Sequence, residues 1–276
     1  MEDAHLVDLE LDSQTGLMAV FDGHGGLHCA DYCATNLPSV LKNTEGWAAG
    51  NLSGALQQAF LALDASITTS CPASSGTTST VALLRGNQLI VAGVGDSKGM
   101  FVRGGRAMAM TVDHRPDAPE EEARIRGAGG FVHRGRVNAC LNVSRALGDA
   151  QFKQDACRGP HEQQVSPQPD VREAHAVSPT DFLLLCSDGV WNSMRENVVL
   201  RFVRQKLLSG LTPADVCAAL CRACLEPSCT AYDNITALLC KFKPSSLPQG
   251  GAQAQAAQQA IHQQHHRQQQ QQQQQQ

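Results

Sequence analysis

The chain has 276 residues, of which 42% are hydrophobic and 17% are charged, so it can bury one substantial core. Its net charge of −4 and pI near 6.2 argue against nucleic acids and anionic membrane surfaces as partners. No apolar run has the length that a membrane span needs. We therefore expect one folded domain over residues 1–243, monomeric and with no nucleic-acid or membrane partner.

The residues after this domain, 244–276, lose apolar periodicity and end in the glutamine run Gln268–Gln276. Such a segment cannot bury enough apolar surface to offset the entropy of ordering it, so we interpret it as a disordered tail.

At the other end, the acidic N-terminus has no signal-peptide pattern. The eleven cysteines are an odd number in a large domain, which is typical of reduced thiols. We therefore expect a cytoplasmic or nuclear protein.

Apolar patterning in the first half predicts one strand, two helices and a meander of strands. The run Leu17–Phe21 ends at Asp22-Gly23, as a strand that enters a turn does. Helices are predicted at 28–41 and 51–69. The runs TTSTVALL, QLIVAGVG and GMFVRGG then predict three short strands separated by glycine-containing turns.

In the second half, Pro119 and the three glutamates after it predict the start of a helix. Proline fits the first helical turn, and acids favour the positive end of the helix dipole. The run FLLLCSDGVW predicts a second buried strand ending at Asp-Gly. Helices are predicted around 195–208 and 213–225, before a last strand, ITALLCKF. Blocks of strands separated by blocks of helices indicate an α+β domain with antiparallel pairing.

Four cysteines near the end of the domain could be considered a zinc site: Cys217, Cys221, Cys224 and Cys229. Their spacing does not form paired CxxC knuckles, and the first three fall on one face of a predicted helix. We interpret them as a core stripe of small apolar residues.

Patterns of covalent catalysis are also missing. No cysteine is followed by an arginine six positions later, and no serine lies in GxSxG.

Aspartates occur where predicted strands begin or end: Asp22 in FDGHGG, Asp188 in SDGVWN and Asp233 in AYDNIT. A single Asp-Gly is usually only a turn. Three acids at strand edges carry more information, because side chains at the rim of a layer can converge in one cleft. Hard cations such as Mg²⁺ and Mn²⁺ prefer oxygen ligands and retain several waters, so few protein ligands are enough.

Ten motifs follow one another along the chain: MEDAH, VFDGHGG, SGTTST, VGDSKGMFVRGG, TVDHRPD, EEARIRGAGGFV, VSRALGD, PDV, FLLLCSDGVW and YDNIT. This ordered set resembles the type 2C serine/threonine phosphatases of the metal-dependent protein phosphatase family, from Met1 to about Lys243. The resemblance implies a four-layer α-β-β-α sandwich of two antiparallel sheets flanked by helices. It also implies hydrolysis of phosphoserine and phosphothreonine in phosphoprotein substrates, with two Mg²⁺ or Mn²⁺ ions and no covalent intermediate.

The resemblance implies a role for each matching residue. Asp22 would bridge both metals, and Gly23 would give its carbonyl oxygen to one of them. Asp188 and Asp233 would hold the other metal. The remaining assignments are Glu2 and Asp3 on metal-bound waters, Asp96 on a weaker third metal, and His24 as the general acid for the leaving alkoxide. General chemistry agrees, because paired cations acidify water and a histidine pKa suits proton donation.

Two departures from the family pattern accompany this resemblance. The family has a strand before MEDAH with an arginine that contacts the phosphate, whereas this chain starts at the motif. Either Met1 marks a truncated sequence or a fragment, or the protein lacks this phosphate contact and binds phosphate more weakly, unless the stretch Arg134–Arg136 supplies it. The sheet would also lose a strand and gain an unpaired edge. Asn192 also replaces an acid, which weakens the third metal site more than the main pair. The rival hypothesis is a catalytically silent domain that binds a phosphoprotein or a regulatory partner.

Overall fold

The computed structural model describes residues 1–176, 178–226 and 233–242, so the predicted tail and Cys229 lie outside the described residues. The described strands pair antiparallel throughout. They are β1 (Ala4–Asp8), β2 (Thr15–Phe21), β3 (Gly23–His24), β4 (Gly76–Thr77), β5 (Ser79–Arg85), β6 (Gln88–Val94), β7 (Lys98–Arg103), β8 (Arg106–Ala109), β9 (Val132–His133), β10 (Arg136–Val137), β11 (Leu147–Gly148), β12 (Asp170–His175), β13 (Phe182–Cys186) and β14 (Ala237–Lys241).

The described α-helices are α1 (His28–Lys42), α2 (Glu45–Ala48), α3 (Leu52–Ser70), α4 (Pro119–Gly127), α5 (Asp188–Ser193), α6 (Glu196–Leu208) and α7 (Pro213–Cys224). Two short 3₁₀ turns, Ala150–Phe152 and Pro160–Glu162, complete the helical elements. In this described part of the chain, no helix combines the length and the apolar character that crossing a membrane requires.

Two larger sheets form the body of the molecule. The first has the strand order β1-β2-β5-β6-β12, and the second has the order β14-β13-β7-β8. Small sheets of order β11-β4-β3 and β10-β9 lie beside them. The strand β1 is an edge strand of the first sheet, with β2 as its pairing strand.

Alternating side chains of β2 and β13 build three apolar layers. In β2, Leu17 and Phe21 face the helices α1 and α3, whereas Met18 and Val20 face the second sheet. The same alternation occurs in β13, where Leu183 and Leu185 point between the sheets. Its other side chains, Phe182, Leu184 and Cys186, pack under α6 and α7. The predicted α-β-β-α sandwich of the α+β class is therefore confirmed.

Element prediction succeeded where periodicity was strong. The helices predicted at 28–41 and 51–69 correspond to α1 and α3, and those at 195–208 and 213–225 correspond to α6 and α7. The cysteine stripe of α7 behaves as a core face, since Cys224 is buried and Cys217 packs against the same cluster. The strand β12 was missed, because most of its side chains are polar and only one of them is buried.

A network centred on Glu121 holds the region between β8 and β12 together. This carboxylate accepts hydrogen bonds from Arg124 at 2.7 Å, from Arg145 at 2.6 Å and from the Ser144 hydroxyl at 2.6 Å. Burial alone would raise the pKa of Glu121, but these two guanidinium groups and the hydroxyl lower it to about 2. Arg145 also contacts Asp170 at 3.2 Å, which connects α4 to β12.

We expect Glu121→Gln to lower the free energy of unfolding at neutral pH by about 2–4 kcal/mol, because it leaves the half-buried Arg124 guanidinium without a counter-charge and removes the closer of the two acids that contact Arg145. The folded pKa is depressed, so this stabilisation is complete above pH 4.5 and disappears as the pH falls towards 2. Urea unfolding between pH 7 and pH 2.5 measures it. The control is Glu122→Gln, which breaks the more exposed ion pair with Arg126 and should change stability by less than about 0.5 kcal/mol. Equal pH profiles for the two variants would contradict the assignment.

Candidate active site

Three aspartates lie at strand ends where the two large sheets meet. Asp22 follows β2 of the first sheet, and Asp188 opens α5 directly after β13 of the second sheet. The Asp188 backbone N–H donates to the Asp22 carboxylate at 3.4 Å, so the two sheets touch through these residues. Asp96 lies two residues after β6, beyond a tight turn at Gly95 whose φ is +89°.

The N-terminal acids lie across the same junction. The Glu2 carboxylate accepts from the Gly26 N–H at 3.0 Å, and the Glu2 N–H donates to the Asn234 side chain at 2.6 Å. The Asp3 carboxylate accepts from the Thr236 hydroxyl at 2.7 Å. The start of the chain is thereby fixed between the loop after β3 and the loop before β14.

The acids at this junction raise one another's pKa. For Asp22, burial and the charges of Asp3, Asp188 and Asp96 place the pKa well above the ordinary range. For Asp96, burial and the charges of Asp188 and Asp113 raise the pKa to about 7. Burial and the nearby charge of Asp233, which is itself exposed, raise the pKa of Asp188. Without a positive partner, holding these groups ionised together is unfavourable.

Two carboxylate oxygens at the junction, Asp3 Oδ1 and Asp188 Oδ1, are buried and accept no hydrogen bond from the described residues. Both fit a hard cation, which would satisfy a buried anionic oxygen. Within the described residues, no three His, Cys, Asp or Glu side chains form a ready-made cluster around one point.

Asn192 occupies the place where the family pattern has an acid. Its amide donates to Asp188 Oδ2 at 2.9 Å. The other oxygen of that carboxylate, Oδ1, is the one without a hydrogen-bond partner. The predicted departure therefore has a visible structural result. A neutral hydrogen-bond donor lies where a further negative charge would otherwise add to the repulsion around Asp188.

The sequence did not indicate that His24 has a carboxylate partner. Its Nε2 atom lies 2.7 Å from Oδ2 of Asp149, a residue that is only 1% exposed. Burial alone would lower the pKa of His24, but the hydrogen bond and charge of Asp149 raise it. The other ring nitrogen, Nδ1, has no hydrogen-bond partner among the described residues. VSRALGD contains Asp149, but only the fold shows that it meets His24, 125 positions away.

His114 is a second residue that sequence reasoning missed. This side chain is buried, and its Nδ1 atom accepts from the Gly95 N–H at 3.1 Å. Its Nε2 atom lies 3.3 Å from Asp170. The turn that presents Asp96 is thus connected through His114 to β12 and to the Glu121 network.

A polar pocket of about 360 Å³ opens beside Asp96 and Asp188. Its cationic lining residues differ in how far their charge is compensated. Lys98 is paired with Asp113 at 3.0 Å and with Glu196 at 2.8 Å. Arg134 and Arg136, the alternative phosphate contact named from the sequence, line the same pocket and have no acidic partner within ion-pair distance in the described part of the chain.

Comparison with known proteins agrees with this geometry. The family model described as protein phosphatase 2C matches residues 1–234. The chain belongs to the protein phosphatase 2C family. It is 36% identical to probable protein phosphatase 2C 21 of Oryza sativa subsp. japonica, over 88% of this chain and 80% of that one. It is 37% identical to protein phosphatase 2C homolog 2 of Schizosaccharomyces pombe, over 88% of this chain and 69% of that one.

The fold agrees as well. A crystal structure of a phosphatase from a pathogenic strain of Toxoplasma gondii superposes with a TM-score of 0.76 at 25% identity, covering 87% of this chain and 88% of that one. Membership in the protein phosphatase 2C family makes this protein a serine/threonine phosphatase of a metal-dependent family. The comparisons do not support the alternative of a silent phosphoprotein-binding domain.

Gly76 of β4 is required by the contact between His24 and Asp149. A β-carbon at this position would overlap both the Asp149 carboxylate and the His24 ring. We therefore expect Gly76→Ala to reduce turnover of a phosphopeptide by at least about tenfold, since misplacing a reacting group by 1 Å is sufficient for a 10²-fold loss. The control is Gly86→Ala in the β5–β6 turn, where a β-carbon meets no atom within 4 Å, although its φ of +59° costs about 1 kcal/mol. Equal turnover in the two variants would show that the contact tolerates displacement.

Proposed function

We propose that this protein phosphatase 2C hydrolyses phosphoserine and phosphothreonine in proteins with a pair of Mg²⁺ or Mn²⁺ ions and His24 as the general acid. The main support is the crowding of Asp22, Asp96 and Asp188 at the junction of the two sheets. Repulsion of this strength is relieved by bound cations, and the orphaned oxygen of Asp188 points to the same conclusion.

The proposed ligands come from both sheets. Asp22, the Gly23 carbonyl, Asp188 and Asp233 would hold the two ions. Glu2 and Asp3 would hold waters of the ions from the N-terminal side. Asp96 would contribute to a third, weaker site, where the neutral Asn192 adds no charge. When bound, the cations acidify a water for attack on phosphorus and neutralise the phosphoryl oxygens.

His24 supplies the proton that the leaving group needs. As the oxygen of water bonds to phosphorus, the bond from phosphorus to the serine or threonine oxygen breaks. An alkoxide is a poor leaving group, so protonation by the imidazolium Nδ1–H lowers the barrier and yields the free hydroxyl and inorganic phosphate. Asp149 stabilises the imidazolium through its contact with Nε2, which is in line with the raised pKa of His24.

The pocket beside Asp96 and Asp188 supports an anionic substrate. Arg134 and Arg136 bring positive charge to its wall, and the guanidinium of Arg136 is oriented by donation to the Cys140 carbonyl at 2.7 Å. Arginine binds phosphate through charge-assisted hydrogen bonds. We infer that these side chains contact the phosphorylated segment of the substrate.

Metal dependence tests the ligand assignment. We expect phosphoserine peptide hydrolysis to require added Mg²⁺ or Mn²⁺ and to stop in a chelator, because the donor set is hard oxygen. Asp188→Asn should raise the Mn²⁺ concentration for half-maximal activity by at least about tenfold, since one charge on the cation is lost. Asp12→Asn, in the turn at the opposite end of β2, is the control and should leave it unchanged. Full activity in chelator would overturn the proposal.

Substitution of His24 tests the acid. We expect His24→Gln to lower kcat for a phosphoserine peptide by about 10²–10⁴-fold, with the Mn²⁺ concentration for half-maximal activity almost unchanged. His28→Gln at the exposed start of α1 is the matched control and should retain kcat. A variant that changed metal affinity alone would show instead that His24 is an outer ligand.

A further inference from the structure

The carboxylate that contacts His24 belongs to a residue in an unfavourable backbone conformation. Asp149 has φ 53° and ψ 41°, the left-handed region that residues other than glycine rarely occupy. It is buried, so solvent does not stabilise the turn. A strained residue persists only where its surroundings determine its conformation. The contacts around 146–153 therefore decide where the Asp149 carboxylate points.

Two backbone donors in this turn are fixed by buried acceptors. The Asp149 N–H donates to the Ser75 carbonyl at 2.8 Å. The preceding Gly148 N–H donates to Oδ1 of Asp64, on helix α3, at 2.9 Å. Asp64 is 6% exposed and lies 84 positions before Gly148. A side chain of the helix layer thus holds the residue directly before Asp149.

Lys153 completes this arrangement. Its ammonium group donates to the same Asp64 oxygen at 2.6 Å and to the Ala146 carbonyl at 2.8 Å. The Lys153 and Asp64 side chains are 5% and 8% exposed, so the pair is almost fully withdrawn from water. The pair thus joins the two sides of Asp149, because Lys153 follows it in the chain and the backbone groups that the pair contacts, at Ala146 and Gly148, precede it.

Stability alone does not explain a pair of this kind. Burying two charges sacrifices their hydration, and an apolar pair of similar volume is often equally stable or more stable. What an apolar pair cannot do is accept a hydrogen bond from Gly148 and donate one to Ala146. The chemical identity of Asp64 and Lys153 is needed for the position of the turn more than for the packing under it.

We propose that the Asp64–Lys153 ion pair is a positioning device that holds the Asp149 carboxylate against His24, so that the ring is aimed at the leaving oxygen. This inference rests on the proposed function of His24. Neither Asp64 nor Lys153 touches the substrate, and their effect passes through Gly148 and Asp149.

The experiment compares two substrates that differ in their need for an acid. A phosphoserine peptide releases an alkoxide and requires protonation, whereas p-nitrophenyl phosphate releases a stable phenolate and does not. The ratio of kcat for the peptide to kcat for p-nitrophenyl phosphate is therefore the readout. The variants are Asp64→Asn and the double variant Asp64→Leu/Lys153→Met, which removes both charges and keeps the fold if the single change prevents folding.

We expect both variants to lower this ratio by at least about tenfold, with His24→Gln lowering it further. Val203→Ala in the core under helix α6 is the control, because it loosens packing in the other helix layer and should leave the ratio unchanged. A ratio that stays at the wild-type value in a folded Asp64→Leu/Lys153→Met protein would overturn the proposal, since positioning would then not depend on the pair.

A second readout does not depend on activity. In the metal-free protein, the ¹⁵N and ¹H signals of the His24 ring report whether its Nε2–H is hydrogen-bonded to Asp149. We expect the Nε2–H signal to be lost to solvent exchange in the double variant and retained in Val203→Ala. If His24→Gln leaves the kinetic ratio unchanged, the acid role fails. The Nε2–H signal then still tests whether the Asp64–Lys153 pair positions Asp149 against His24. Retention of this signal in the double variant would refute that positioning role.

Discussion

Carboxylates from both large sheets repel one another at the junction where the sheets meet. Asp22 and Asp188 end strands of opposite sheets and come close enough for a backbone hydrogen bond, while Asp96 adds a third charge. A core does not place such groups together for stability, because burial disfavours each ionised form and the neighbours add to the penalty. The fold has to be rigid enough to hold them together against this repulsion.

Two buried acids elsewhere in the molecule have positively charged partners instead of negatively charged neighbours. Glu121 and Asp64 are also buried, but each has a cationic partner and several hydrogen-bond donors. These fully partnered acids fix the segments that approach the active site, one through Arg145 and the other through Gly148. The contrast separates acids with cationic partners from the acids at the junction, which raise one another's pKa, although both kinds are partly or fully withdrawn from water.

Much of the scaffold, and the convergence of Asp22 and Asp188 at one junction, could be predicted from the sequence. The helices α1, α3, α6 and α7 and the strand β13 follow from apolar periodicity, which is a local property. Asp22 and Asp188 were recognisable because an acid followed by glycine ends an apolar run. Asp149 was not recognisable, since its partner His24 lies 125 positions away and nothing local marks the meeting. The polar strand β12 was missed for a related reason, because its place is decided by pairing with β6.

Because Asp22 and Asp188 come from different sheets, the distance between their carboxylates depends on how the two sheets pack. Asp22 is carried by β2 and Asp188 by β13, and the apolar layer between these strands includes Val20 and Leu185. A small slide of one sheet over the other changes the distance between the carboxylates while both sheets remain intact. The volumes of the interleaved side chains in that layer therefore set the spacing between the two carboxylates. Protein interiors are packed closely enough for a single methylene group to be felt. The arrangement of the acids at the junction is accordingly a property of the apolar interior as well as of the charged rim.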